Sequence, residues 1–300
     1  MKRFFYAVLS VSLVFAWCLT ISGAAEAEGT APIAENLELT TYRNVSVEGS
    51  LSAYAPEGGK LSFCITTSPV KGEIELFEDG RFVYTPGENK RGRDYFGYKA
   101  TDEAGNVSQE ATVIIRIEKQ KKDVFYSDLE GSGYEYAAIA LSEHDIFTGE
   151  QIGGAYCFYP DREVSRGEFL SMCMLVAGKE PYEAVLSTGY SDDETIPTWL
   201  KGYVTAAALC GAAQGIETES GSVFSADEPV TRSEAAVMLD RALGITKVTY
   251  TALMSDISPE VAQACANLSA CGLMKEGQPM EETLTRGEAA VMLAAALEKR

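Results

Sequence analysis

One short sequence occurs three times in the second half of the chain, and it specifies the start of a helix. The three copies are Ser165-Arg166-Gly167-Glu168, Thr231-Arg232-Ser233-Glu234 and Thr285-Arg286-Gly287-Glu288, and an apolar run follows each. A Ser or Thr followed three residues later by Glu is a capping box, in which the hydroxyl and the carboxylate satisfy amides that the first turn leaves unpaired. The Arg lies at the first helical position. We expect its guanidinium to point beyond the helix end, where the macrodipole already favours an anion.

Each capped helix follows an earlier apolar segment of helical character, at residues 137–141, 203–209 and 261–268. A Ser-Asp pair precedes each of these segments. The aspartates of the pairs lie 64 residues apart, at Asp128, Asp192 and Asp256. A fixed period indicates tandem repeats, each too small to bury its apolar face alone. The sequence therefore predicts three helix-loop-helix units, at about residues 124–186, 187–250 and 251–300.

The order of features inside each unit resembles one known family. A Ser-Asp start, an aromatic residue a few positions on (Tyr134 or Trp199), a small residue that closes the first helix (Gly211) and the Thr-Arg-x-Glu helix start are similar to the S-layer homology module. The resemblance covers about residues 124–300 and includes three modules in tandem. It implies an all-α domain with three lobes around a pseudo-threefold axis, whose grooves hold a secondary cell-wall polysaccharide ending in a pyruvylated sugar.

The resemblance also implies which residues meet the polymer. Arginines at the helix starts would receive the ketal carboxylate, an aromatic face would stack on a sugar ring, and the unit-start carboxylates would accept sugar hydroxyls. The polysaccharide-binding candidates are Asp128, Tyr134, Arg166, Asp192, Trp199, Arg232, Asp256 and Arg286. The alternatives are that the aspartates cap the first helices and that Trp199 packs between lobes. The glutamates of the capping boxes (Glu168, Glu234 and Glu288) are interpreted as capping partners rather than ligands.

The third unit departs from the pattern in two ways. Glu260 stands where the other units carry an aromatic residue, and Asp256 precedes Arg286 by 30 residues, against 38 and 40 for the same pair in units one and two. A loop is therefore shorter in unit three. Since unit two carries both Arg232 and Trp199, we expect its groove to bind most strongly and Arg232→Ala to weaken binding most.

Residues 30–118 have a different texture, with short alternating segments separated by turn residues. Strands are predicted at 61–65, 72–76, 81–84, 95–100 and 111–117. About seven short strands in this length indicate an Ig-like β-sandwich. The string from Gly80 to Pro86 and the turn at 102–106 resemble the Ig-like, cadherin-like repeats of bacterial surface proteins. Asp94 and Asp102 are interpreted as backbone caps rather than calcium ligands. The charged residues 119–123 are predicted to link the two regions.

Residues 1–27 predict export. Lys2 and Arg3 precede an apolar run that ends at Leu19, and small residues follow, as in a secretory signal peptide. No later stretch has the roughly 20 apolar residues of a membrane span. The net charge of −19 argues against nucleic acid and anionic membranes as partners. We therefore expect a secreted protein at the cell wall or cell surface, without membrane attachment after signal cleavage.

Six cysteines follow the signal segment, without a C-x-x-C pair. Most lie in apolar runs, which indicates buried free thiols, and a Cys157–Cys173 bridge is the alternative in an oxidising compartment. A bridge between Cys265 and Cys271 is not expected, because a helix turns them to different faces. The sequence predicts no metal site and no cofactor.

Three functions compete on this sequence. The leading interpretation is a non-catalytic protein that its repeats anchor to secondary cell-wall polysaccharide and that displays the Ig-like domain. The second is an adhesin or protein-binding module, with a protein or glycan ligand on the Ig-like domain. The third, a cell-wall glycan hydrolase, has little support, because no nucleophile motif is present and the single histidine, His144, lacks a marked Ser or Cys partner.

Overall fold

The computed structural model describes residues 29–246, 248, 257–274 and 277–299. A β-rich region comes first and a helical region follows it. The expected signal peptide at residues 1–27 lies outside the described residues, and so does the candidate Asp256.

Nine strands form the β-rich region. They are β1 Ile33–Ala34, β2 Leu37–Tyr42, β3 Val47–Ser50, β4 Ala53–Tyr54, β5 Ser62–Thr67, β6 Gly72–Leu76, β7 Arg81–Pro86, β8 Gly92–Thr101 and β9 Ala111–Glu118. One sheet has the order β2-β9-β8-β5, with β2 parallel to β9, and a second has the order β3-β7-β6. Strands β1 and β4 form a separate pair. The five strands predicted from alternation are all present, and the arrangement is that of a β-sandwich.

Side-chain alternation explains why the two sheets pack. Along β9, Val113 and Ile115 are buried while the residues between them are more exposed, and β7 buries Phe82 and Tyr84 in the same way. These side chains form one apolar cluster between the sheets.

Buried Asp94 accepts hydrogen bonds from the Val70 N–H (3.0 Å), the Lys71 N–H (2.8 Å) and the Tyr84 hydroxyl (2.8 Å).

The interpretation of both aspartates as backbone caps is confirmed. Burial opposes ionisation of Asp94, but the hydrogen bonds it accepts, beginning with the one from Val70, outweigh burial and lower its pKa. Asp102 accepts hydrogen bonds from the Asn106 backbone (2.7 Å) and the Asn106 side chain (2.9 Å) within its turn.

Six helices and two hairpins form the helical region. They are α1 Glu135–Glu143, β10 Glu150–Ile152, β11 Ala155–Cys157, α2 Arg166–Val176, α3 Thr198–Leu209, β12 Ile216–Thr218, β13 Gly221–Val223, α4 Arg232–Leu243, α5 Pro259–Ala270 and α6 Arg286–Glu298. Each of the three units contributes two of these helices. The all-α expectation missed the hairpins β10-β11 and β12-β13, which lie between the helices of units one and two. The described residues between α5 and α6 contain no hairpin, which agrees with the shorter loop expected there.

All three predicted capping boxes are present. Ser165, Thr231 and Thr285 each accept a hydrogen bond from the backbone of the Glu three residues on, and that Glu accepts one from the backbone of the cap. The helices begin where the sequence predicted. The box pairs the amide of the cap and the amide of the Glu three residues on within the unit itself.

The two regions share packing. Tyr42 and Val45 of the β-rich region belong to the apolar core of the helical region, and the Tyr42 ring stacks on Tyr136 of α1 at 5.9 Å between centroids. The predicted linker, residues 119–123, is also held, because the Glu143 carboxylate accepts hydrogen bonds from the Lys121 and Lys122 amides. The β-rich region therefore sits directly on unit one.

The six described cysteines are free thiols, but only Cys173 is buried, and burial raises its pKa. Cys64 is exposed, so the expectation of uniformly buried thiols is wrong for this residue. Within the described residues, every helix is too short or too polar to cross a membrane.

Candidate functional site

The starts of the three capped helices meet around a ring of backbone hydrogen bonds. The Val230 amide donates to the Val164 carbonyl at 3.0 Å, the Val164 amide to the Leu284 carbonyl at 3.1 Å, and the Leu284 amide to the Val230 carbonyl at 2.9 Å. All three side chains are buried. One residue from each unit contributes, so the ring closes after three units and gives this part of the molecule a cyclic order.

The first two amides of each capped helix extend this order. The first amides of a helix have no partner inside the helix. Here backbone carbonyls of the next unit accept their hydrogen bonds. In α2, the amides of Arg166 and Gly167 donate to the carbonyls of Glu228 and Ala226, respectively. In α4, the amides of Arg232 and Ser233 donate to those of Glu282 and Met280. In α6, the amides of Arg286 and Gly287 donate to those of Arg162 and Pro160. Each unit therefore docks on its successor, and unit three docks on unit one.

The Arg166 side chain completes the junction between units one and two. It is 3% exposed. Its Nε donates to the Phe224 carbonyl at 2.9 Å, one terminal nitrogen donates to the Gln214 carbonyl at 3.1 Å, and the other donates to the Glu234 carboxylate. The guanidinium also lies over the Phe224 ring at 5.4 Å. Each of the three nitrogens of this guanidinium therefore donates a hydrogen bond to unit two.

The Arg232 side chain is 8% exposed and reaches unit three. It donates to the Glu288 carboxylate at 2.6 Å and lies 3.8 Å from the Glu282 carboxylate. Its buried Nε has no hydrogen-bond partner among the described residues. Burial opposes ionisation of Glu288, but hydrogen bonds from Arg232 and from the Thr285 amide outweigh burial and lower its pKa.

The Arg286 side chain is 4% exposed and reaches unit one. It donates to the Phe158 carbonyl at 2.8 Å, which is its one side-chain hydrogen bond within the described residues, and it lies over the Phe147 ring at 4.9 Å. Burial lowers the pKa of this guanidinium, partly offset by the acidic groups Glu168 and Glu150. Because Arg286 uses only one donor in this way, it retains more hydrogen-bonding capacity than Arg166.

Two expectations about these arginines need correction. The guanidinium groups do not extend freely beyond the helix ends, because each is buried against the following unit. Arg232 also does not share a junction with Trp199. Arg166 is the arginine that reaches unit two, and a Cβ at Gly167 of its helix would meet the side chain of Leu200, the neighbour of Trp199. The residues that accept hydrogen bonds from the Arg166 side chain lie 48 to 68 residues away from it in sequence, so no local pattern indicates them.

The capping glutamates have a second role that the sequence did not indicate. Glu234 and Glu288 each complete their own capping box and also pair with the arginine of the preceding unit. Glu168 completes its box but forms no ion pair within 4 Å with a described residue. The motif Glu of units two and three is thus used twice, for capping within its own unit and for an ion pair with the preceding unit.

The two unit-start aspartates that the structure describes, Asp128 and Asp192, hold loops rather than first helices. Asp128 accepts hydrogen bonds from the Phe158 amide (2.9 Å) and the Tyr159 amide (2.6 Å). Asp192 accepts them from the equivalent amides of Phe224 (2.8 Å) and Ser225 (2.7 Å). Tyr159 and Ser225 both have φ of 56°, which lets two successive amides converge on one carboxylate. The alternative of helix capping is therefore wrong for these two, although exposed Asp128 can accept further donors.

The two candidate aromatics have different surroundings. Tyr134 is half-buried, and a Cβ at Gly287 of α6 would lie 2.8 Å from its ring. Trp199 is 59% exposed at the start of α3. An exposed indole presents a flat apolar face to solvent, whereas the Tyr134 ring already packs on the neighbouring unit. Trp199 is accordingly the better placed of the two for stacking on a sugar ring.

A polar groove of about 370 Å³ lies beside the start of α2. Its lining includes Arg162, Glu163, Glu168 and Asp227. Arg162 is largely exposed and pairs with Glu150 at 3.0 Å. Arg162 was not among the predicted site residues, because it lies outside the repeated motif. It is in the loop before the capping box, two residues after Pro160.

No arrangement for metal binding stands out in the part of the chain that the structure describes. There, no three His, Cys, Asp or Glu side chains come together as a metal site. The His144 ring contacts the Ala140 carbonyl at 2.8 Å at the end of α1.

Comparison with known proteins supports a surface role. Residues 29–119 match the family model of the bacterial cadherin-like domain. A stretch of 122 residues is 29% identical to the surface-layer 125 kDa protein of Lysinibacillus sphaericus. That stretch covers 40% of this chain and 10% of the relative, so the chain spans about a tenth of that protein's length. Both matches fit a cell-surface protein.

Solved structures give only distant similarities. The SrpA adhesin of Streptococcus sanguinis is 20% identical, with 34% of this chain and 68% of that chain covered and a TM-score of 0.25. The fibronectin(III)-like modules of Clostridium thermocellum CbhA are 13% identical, with coverage of 32% and 51% and a TM-score of 0.23. The endo-fucoidan hydrolase MfFcnA4 is 21% identical, with coverage of 32% and 14% and a TM-score of 0.26.

Proposed function

We propose that this protein attaches non-covalently to secondary cell-wall polysaccharide through its helical region and presents the cadherin-like domain at the cell surface. The observation that carries the proposal is the cyclic arrangement of three arginine-bearing capped helix starts, each at a junction between units. The sequence resemblance to S-layer homology modules and the similarity to a surface-layer protein support the same conclusion. In this proposal the protein is not an enzyme.

The junction between units one and two is the strongest candidate groove. It combines the start of α2, the buried charge of Arg166 and, from unit two, the exposed ring of Trp199. The macrodipole of α2 favours an anionic group near the start of the helix. Stacking on Trp199 would hold the sugar ring, while the pyruvyl carboxylate would be drawn toward the positive helix end.

The junction between units three and one is the second candidate. Arg286 donates one side-chain hydrogen bond within the described residues, to the Phe158 carbonyl of unit one. Exposed Arg162 follows in the same loop, and exposed Asp128 accepts the Phe158 amide. Tyr134 supplies the aromatic side chain there. The junction between units two and three lacks an aromatic at the matching position, since Glu260 stands there and pairs with Arg241 at 2.5 Å. We therefore propose that this last junction contributes least to polymer binding.

Co-sedimentation with purified cell walls tests the proposal. The chain from residue 29 to 300 should sediment with intact walls and remain in solution with walls stripped of their non-peptidoglycan polymer. The whole of this segment is used because Tyr42 and Val45 pack into the helical core. Equal sedimentation with bare peptidoglycan would contradict attachment through the secondary polymer.

A second function rests on the cadherin-like match at residues 29–119. Here the β-rich domain is an adhesin whose protein or glycan ligand is held at the surface by the same anchor. Capture experiments on the intact chain, with and without competing wall polymer, separate the two activities. A ligand retained when the polymer saturates the helical region would assign adhesion to the cadherin-like domain.

A further inference from the structure

A cleft of about 610 Å³ lies between the β-rich and helical regions. One wall is formed by β3 and its neighbours, and the other by residues 130–137 and the last two turns of α6. Its apolar lining includes Leu39, Val83, Phe125 and Val291. Phe125 and Val291 are exposed, although both are large apolar side chains. A cleft of this size and character can bury most of a small ligand or several side chains of a partner.

The charges in the cleft all have one sign. Its lining includes Glu48, Glu130, Glu135 and Glu298, and no Lys, Arg or His among the described residues lines it. None of the four forms an ion pair within 4 Å with a described residue. Burial raises the pKa of Glu135, and the neighbouring Glu130 raises it further. A cation in the cleft would relieve this repulsion and would be favoured over an anion or a neutral group.

The backbone of β3 adds a third feature. β3 is an edge strand that pairs only with β7, so its other edge has no strand partner within the described residues. Ser46, Val47 and Glu48 all line the cleft. Val47 and Glu48 are successive residues of β3, and successive side chains of a strand point to opposite faces, so the edge of the strand between those faces borders the cleft at its first residues. A free edge can pair with an extended peptide through main-chain hydrogen bonds.

We propose that this cleft binds an extended segment of a partner protein in which lysines alternate with apolar residues. The lysine stems would lie on the apolar lining and place their ammonium groups among the carboxylates. The segment's backbone would pair with the free edge of β3. A soluble polyamine has the charge of such a segment but neither its apolar side chains nor its amide backbone, so it would bind much more weakly.

Fluorescence polarisation with a labelled, acetylated Val-Lys-Val-Lys-Val peptide tests the proposal on the chain from residue 29 to 300. The peptide should bind, and the same peptide with glutamate in place of lysine should not. Combined Glu48→Gln, Glu130→Gln and Glu135→Gln should weaken binding at least about tenfold, because the ammonium groups lose their charged acceptors. The matched control combines Glu194→Gln, Glu217→Gln and Glu219→Gln, which make the same charge change on exposed positions of unit two.

Phe125→Ala provides a second variant that leaves all four carboxylates in place. It should also weaken the lysine peptide, since it removes part of the apolar lining. Three results would overturn the proposal. The first is that the cleft and control glutamine variants weaken binding equally. The second is that spermidine displaces the peptide at equal concentration. The third is that the parent chain shows no binding at about 1 mM peptide, since its affinity would then be negligible.

Discussion

The junction between units one and two differs from the junction between units two and three, although the same motif builds both. Arg166 contacts two backbone carbonyls and a carboxylate in unit two. Arg232 contacts two carboxylates in unit three, and its Nε has no hydrogen-bond partner among the described residues. The carbonyls that receive Arg166 belong to Gln214 and Phe224, which flank the hairpin β12-β13. The described residues of unit three contain no equivalent hairpin.

This difference shows that the motif and the junction are separate properties. The capping box fixes the helix start in all three units, because its partners lie within four residues. The satisfaction of the arginine depends on the loop of the following unit, and that loop is shorter in unit three. A repeat can therefore keep its motif and still form a less complete junction.

The largest expected effect is on stability, at Arg166. Arg166→Ala removes a buried cation from Glu234 and from two carbonyls and should reduce the free energy of unfolding by about 3 kcal/mol. Arg232→Ala should cost less, about 1.5 kcal/mol, because one buried donor is already unpaired and Glu282 is largely exposed. Urea denaturation of both variants measures the difference. A larger loss for Arg232→Ala would refute the ranking of the two junctions.

The next effect separates the two roles of the capping glutamates. Glu234→Gln keeps the return bond to the cap but loses the ionic partner of Arg166, so the free energy of unfolding should fall by about 1 to 2 kcal/mol. Glu168→Gln is the matched control and should be nearly silent, since Glu168 pairs with no cation within 4 Å among the described residues. If the two glutamine variants changed the free energy of unfolding equally in the same denaturation experiment, Glu234 would contribute through capping alone and not through its ion pair with Arg166.

The cap hydroxyls should give equal effects at the two junctions. Ser165→Ala and Thr231→Ala each remove one bond to a first-turn amide and should each cost about 1 kcal/mol of unfolding free energy. Their similarity would place the difference between the junctions in the arginine contacts. If Ser165→Ala cost far more than Thr231→Ala, the helix starts themselves would be unequal.

The smallest effect is a pH dependence at the junction between units two and three. The pKa of Glu288 lies below its ordinary value of 4.5 in the folded chain. Its contribution to stability is therefore complete above that ordinary value and is lost as the pH falls through the lower folded pKa. The difference in unfolding free energy between the parent and Glu288→Gln should shrink as the pH is lowered below about 4.5. A difference that stays constant down to acid pH would contradict the ionic role of Glu288.

Much of the fold could be predicted because its signals are local. The capping boxes gave the starts of α2, α4 and α6, and alternation gave β5 to β9. The two hairpins of the helical region were missed, although Gly153-Gly154 between Ile152 and Ala155 is a two-residue turn signal. The short strands β1 and β4, of two residues each, carry too little alternation to be recognised.

The junctions could not be predicted in the same way. Arg166 meets Glu234 across 68 residues, and Arg286 meets Phe158 across 128 residues. Nothing in the sequence near these arginines distinguishes a side chain that turns into the next unit from one that faces solvent. The packing of Tyr42 on Tyr136 is equally non-local, so the predicted linker appeared independent of both regions.

The most direct test of polymer attachment is calorimetry with a short, monovalent pyruvylated fragment of the wall polysaccharide, which removes the avidity of whole walls. The parent chain from residue 29 to 300 should bind it. Trp199→Ala should weaken binding by roughly fivefold, the loss of about 1 kcal/mol of stacking. Tyr95→Ala, which removes an exposed aromatic from the β-rich region, should leave binding unchanged. No heat of binding with the parent, or equal affinities for the parent and Trp199→Ala, would contradict the account.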